Sequence, residues 1–214
     1  MTTLSYKSET LDEAGVHEWG AKTSGMPQRS RFPLVAVSVG FLSFSILTFE
    51  IELTRIFSVM LSYHYVFAIV SLALLGLGMG GILLRTWHLR FPGAGTHTGA
   101  ALFALFIVGT VVTIVNLPIF RSDTLFDLGF WLYIVLAAVP FFLAGVTMAE
   151  IFEAFAHRSS LLYGFDLAGA ALGALMVVPL LNAFGAVTAT LVTAGVAALA
   201  AIILSWSRNG FPSS

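Results

Sequence analysis

"PLVAVSVGFLSFSILTFEIELTRIFSVM" occupies Pro33 to Met60. Up to Phe49 it carries no charge. An α-helix needs about 20 mostly apolar residues to cross the hydrocarbon core of a bilayer, and this stretch exceeds that length. The whole chain has the same character. Of its 214 residues, 58% are hydrophobic and only 10% are charged, whereas soluble domains carry about 25% charged residues. The expected fold is an all-α, polytopic transmembrane helical bundle. A net charge of -1 provides no general attraction to nucleic acid, which is not an expected partner. The chain has no cysteine, which excludes disulfides, thiolate metal sites and cysteine nucleophiles.

Six segments are apolar and long enough to span: Pro33 to Met60, Val66 to Leu84, Gly99 to Phe120, Leu128 to Met148, Leu161 to Leu181 and Ala186 to Trp206. The expected organisation is a polar cytoplasmic tail over 1–31, a six-helix transmembrane domain over 32–207 and a short cytoplasmic tail over 208–214. The first tail lacks the apolar core of a secretory signal peptide; Trp19 is its best anchor for a partner. Pro33 suits a first helical turn, where its missing N–H costs nothing. "FPGAGTHTG" and "RSDTLFD" are loop signals, and "NAFGA" (Asn182 to Ala186) reads as a tight turn between the last two segments.

Basic residues orient the bundle. Lys7, Lys22, Arg29 and Arg31 precede the first segment; Arg85 and Arg90 follow the second, Arg158 the fourth and Arg208 the sixth. Arg121 alone lies on the other side, beside Asp123 and Asp127. The positive-inside rule then places both termini in the cytoplasm, with a bacterial inner membrane as the expected location.

Glu50, Glu52 and Arg55 interrupt the first segment in its outer part. Glu52 and Arg55 are three apart and share a helical face, so they are expected to pair near the outer interface. Glu50 points about 140° away from Arg55. It is expected to face the interior and to need a polar group on another helix, a bound cation or a proton. In the fifth segment Asp166, with Tyr163 beside it, reads equally as a helix-start charge or as an internal polar site. Glu150 and Glu153 are expected to reach water at the end of the fourth.

"GLGMGG" in the second segment sets Gly76 and Gly80 at the GxxxG spacing, and Gly169 and Gly173 repeat that spacing in the fifth. A phosphate-binding glycine loop would require a strand and a helix in water. Inside lipid the spacing is expected to serve close helix packing. His64 lies between Tyr63 and Tyr65, which fits an aromatic anchor at an outer turn. No metal-binding or nucleophile motif is present, so no metal and no cofactor are expected.

"FEIELTRIFSVMLSYHYVFAIVSLALLGLGMGG" and "LLYGFDLAGAALGALMVVPLLNAFGA" together resemble the integral-membrane region of spermidine/spermine synthase-like membrane proteins. The matching positions are Glu50 and Arg55, Gly76 to Gly81, then Tyr163, Asp166, Gly169 and Gly173, within a resemblance spanning about residues 33–206. In that family a soluble synthase-like domain commonly follows. This chain ends at Ser214 and is expected to lack it, so the resemblance does not imply polyamine synthesis here. The leading expectation is a non-enzymatic subunit, a structural, scaffold or assembly component of a larger membrane complex. Its partners would be membrane lipid and other membrane subunits or a second copy. The alternatives are a small transporter or half-transporter for a cation or polyamine, working through intramembrane acids, and the membrane part of a split synthase-like enzyme.

Overall fold

A computed structural model describes residues 28–60, 66–90, 95–116 and 126–207. The tail with Trp19, the Tyr63–His64–Tyr65 turn, Pro118, Arg121, Asp123 and Arg208 lie outside the described residues. The described residues are helical almost throughout: α1 (Gln28–Met60), α2 (Val66–Arg90), α3 (Thr96–Asn116), α4 (Phe126–Ala154), a 3-10 turn (Ala156–Arg158) and α5 (Ser159–Ser207). Four helices are long and apolar enough to cross a membrane, and α2 contributes a shorter apolar stretch over Val70–Leu83.

Two boundaries differ from expectation. Helix α1 begins at Gln28, so Pro33 stands inside it and not in its first turn. Proline cannot donate to the carbonyl four residues back; here that carbonyl belongs to the polar Arg29, at a helix end where water can serve it. Helix α4 runs on to Ala154, taking in Glu150, which is half-buried, and Glu153, which is exposed.

The last two expected segments form one helical run broken at a single residue, Gly185 (φ 74°, ψ 167°). Only glycine occupies that backbone region without strain. The chain reverses there. Gly173 meets Phe44 and Thr48 of α1, and Thr193 bonds Glu52 of the same helix at 3.0 Å. On a straight helix, residues 173 and 193 would stand about 30 Å apart, far more than the reach of two neighbouring turns of α1. The two arms, 159–184 and 186–207, therefore lie side by side.

Contacts fix the helix directions. Gly76 packs on Ala138, Phe141 and Phe142, and Gly80 on Phe142 and Val146, so α2 and α4 run parallel. Gly99 meets Thr147, and the Thr110 hydroxyl donates to the Leu136 carbonyl at 3.2 Å, which makes α3 antiparallel to α4. Phe49 stacks on Phe141 (centroids 5.4 Å apart), while Phe32 meets Phe155 edge-on (5.8 Å); α1 is antiparallel to α4. Gly40 meets Gly169 before Phe44 meets Gly173, so α1 and the first arm run parallel. The Arg158 guanidinium, 4.7 Å above the Phe32 ring, ties the start of α1 to the α4–α5 connection.

Both GxxxG pairs serve internal packing. A Cβ added at Gly80 would lie 2.5 Å from the Phe142 carbonyl oxygen and 2.6 Å from the Val146 nitrogen. One at Gly169 would collide with the Gly40 carbonyl. Gly78, between the paired glycines, has open space around it. Lipid removes the hydrophobic drive between helices, so such close backbone approach is what holds them.

Candidate functional site: a buried carboxyl among hydroxyls

Three charged residues on α1 receive three different environments. Glu52 is fully buried, Glu50 is half-buried and Arg55 is exposed. The expected Glu52–Arg55 pair is corrected: among the described residues the two form no ion pair, and Glu52 turns inward to the second arm. The expectation that Glu50 is the inward-facing acid is corrected with it. The reason is angular. Residues three apart still diverge by about 60° around a helix, enough for the packed second arm to cover one side chain and leave the other outside.

Glu52 lies eight residues before the end of α1, and Thr193 lies eight residues past the Gly185 reversal. Each ruler places the contact about 12 Å from that end of the bundle. Glu52 is thus enclosed by packed helices while lying in the outer part of α1.

The second arm brings hydroxyls to this carboxyl. Thr193 Oγ1 donates to Glu52 Oε1 at 3.0 Å and also lies 3.2 Å from its own Ala189 carbonyl. A hydroxyl has one proton, so the two acceptors compete for it. If Thr193 serves the carbonyl, the contact with Glu52 persists only with a proton on the carboxyl; if it serves Glu52, the carboxylate can be ionised. Thr190, also fully buried, faces the same carboxyl while donating to the Ala186 carbonyl at 2.9 Å. Ser45 of α1 donates to the Phe41 carbonyl at 2.9 Å and reaches the Thr193 carbonyl at 3.4 Å.

Among the described residues two buried oxygens remain without a hydrogen-bond partner, Glu52 Oε2 and Thr48 Oγ1. Thr48 stands one turn before Glu52 on the same face of α1 and borders Gly173 of the first arm. Burying a polar group without a partner costs about 1–3 kcal/mol in proteins, and a charge costs more. The site thus joins α1 to both arms of α5 and has capacity for a further polar contact.

The other candidates separate from it. Asp166 accepts a hydrogen bond from Ser43 Oγ of α1. It stands two turns into the first arm, which makes it an internal interhelical contact and not a helix-start charge. Tyr163 is exposed, 56% of its surface facing outward. Gly76, Gly80, Gly169 and Gly173 pack helices and do not meet the Glu52 carboxyl; Gly173 borders the Thr48 hydroxyl. Sequence reasoning passed over Ser45, Thr48, Thr190 and Thr193. Ser45 and Thr48 precede Glu52 by seven and four residues, and Thr190 precedes Thr193 by three; both spacings keep hydroxyls on one helical face and were a usable signal. No family model, curated protein or solved structure gives a significant match to this chain.

Proposed function

We propose that this protein is a six-crossing integral membrane protein with both termini in the cytoplasm, and that it works as a small carrier or half-carrier for a monovalent cation or proton through Glu52. The alternation of helix directions supports six crossings: α1, α3 and the first arm of α5 run one way, α2, α4 and the second arm the other. Basic residues bordering the ends of these segments support the orientation. The observation that carries the carrier reading is the burial of Glu52, with one oxygen on Thr193 and the other without a partner. A carboxyl kept deep in an apolar bundle is costly, and such groups mark ion and proton pathways. The resemblance to the membrane region of spermidine/spermine synthase-like proteins is part of the proposal and rests on the motifs quoted above. A bacterial inner membrane is the proposed location, and the role is non-enzymatic.

The test is transport in proteoliposomes. Wild-type protein should move protons or a small cation above the background of empty vesicles, and Glu52→Gln should abolish the flux while eluting as the same monodisperse species. Equal flux in the two proteins sinks the reading.

A second reading, the membrane subunit, has its own support. An open groove of about 580 Å³ lies between α3 and the second arm, lined by Ala101, Ala104, Ala194, Gly195, Ala198 and Ala201 among others. Small residues let another helix approach closely in lipid. Stoichiometric companions retained in mild detergent from the native membrane would favour this reading; a clean monomer or homodimer would remove it.

A further inference from the structure

The unpartnered oxygens narrow what the site takes. Thr48 and Glu52 are each 0% exposed, and among the described residues neither Thr48 Oγ1 nor Glu52 Oε2 has a hydrogen-bond partner. Side chains four apart on a helix are neighbours, with Cβ atoms about 5–6 Å apart. Two such oxygens, not bonded to each other, can both be satisfied by one small atom that each reaches. We propose that Glu52 Oε2 and Thr48 Oγ1 are ligands of a site for a dehydrated alkali-metal cation, enclosed by α1 and the two arms of α5. This rests on the carrier reading and names its cargo or coupling ion.

The donor set selects the class. A carboxylate and a hydroxyl are hard oxygen ligands. Among the described residues no group of three His, Cys, Asp or Glu side chains is placed to hold a metal, which argues against a transition-metal centre. Charge then chooses the valence. One carboxylate balances one positive charge; a divalent ion would keep a net charge in the interior, where unpaired charge is expensive. Size chooses a bare ion over a polyamine, because oxygens with no exposed surface suit an ion that has shed its water and not a chain of methylenes. The Thr193 hydroxyl donates to Oε1, which leaves Oε2 as the oxygen available for the cation. Thr48 is placed by the close approach of Gly173 to Phe44 and Thr48.

The experiment uses the full chain, purified in detergent in a choline chloride buffer. Lithium, sodium and potassium chlorides are titrated in at constant ionic strength, with thermal stability as the readout. At least one alkali cation should raise the Tm of wild type saturably, relative to choline. Thr48→Val, which keeps the shape and removes the oxygen, should shift the half-maximal concentration by about tenfold, the equivalent of one lost ligand. Ser58→Ala, at a half-buried residue bonded to its own helix, should match wild type. The wild-type comparison needs no variant to fold. Indistinguishable curves for all four cations overturn the site, as does Thr48→Val behaving as wild type; the first is the result if a water alone joins the two oxygens. Flux on the same preparations separates the two ideas. Proton flux lost in Glu52→Gln, with no alkali effect on stability, would refute the cation site and keep the carrier. Alkali binding lost in Thr48→Val, with no flux under any condition, would uphold the site and refute the carrier.

Discussion

The two GxxxG faces of this protein are the same device put to different ends. On α2, Gly76 and Gly80 press against the backbone of α4 through Phe141, Phe142 and Val146, and the seam is apolar. On α5, Gly169 and Gly173 press against α1 at Gly40, Phe44 and Thr48. That second approach draws the arm against a helix carrying Thr48 and Glu52, whose oxygens Oγ1 and Oε2 stay without partners. The dry seam is complete in itself, since close van der Waals contact is all it needs. The polar seam is stabilised by its packing and burdened by its chemistry. A fold that keeps such a burden has a use for it, which is the physical content of the carrier proposal.

Substitutions can break this comparison. The largest effect is expected from Gly169→Leu. Its side chain must enter the space held by the Gly40 backbone, and overpacking against backbone costs about 1–3 kcal/mol or more. Folded, monodisperse protein should be lost on size-exclusion chromatography. Gly80→Leu should act similarly on the dry seam, whereas Gly78→Leu, facing open space, should elute as wild type. If Gly78→Leu proves as damaging as Gly80→Leu, the α2–α4 contact is misassigned.

Thr193→Val comes next and acts on the buried carboxyl from the second arm. It removes the hydroxyl bonded to Glu52 Oε1, at an expected cost of about 1–3 kcal/mol in thermal stability. Combined with Glu52→Leu, the loss from Thr193→Val should largely vanish, since the carboxyl that needed it is gone. Additive losses in that cycle would mean that the hydroxyl and the carboxyl do not interact.

Ser43→Ala should cost less, about 1 kcal/mol, because Asp166 is only half-buried and can find other partners. A larger loss than for Thr193→Val would make Asp166 the more important internal acid. Arg55→Ala should be smallest. The residue is exposed and unpaired among the described residues, and exposed substitutions usually stay within about 0.5 kcal/mol. A marked loss would revive the Glu52–Arg55 pair.

The helical, membrane-type character of the chain was legible from apolar length alone. The identity of the buried acid was not. Periodicity yields angles between Glu50, Glu52 and Arg55 but gives them no absolute direction when every face of α1 is apolar. In water the polar side of a helix marks the outside; in lipid both sides are greasy, and that mark is missing. Hydroxyl spacing was the surviving clue, with Ser45 and Thr48 on the face of Glu52.

Composition and segment length were enough to require helices, because lipid leaves the backbone no other way to satisfy its hydrogen bonds locally. Only the folded arrangement could decide that Gly185 turns α5 back upon α1, that Thr193 thereby meets Glu52 and that Arg55 stays outside. Those outcomes depend on which helices touch and at what rotation. Contacts between residues more than a hundred positions apart leave no trace in the local pattern of either helix.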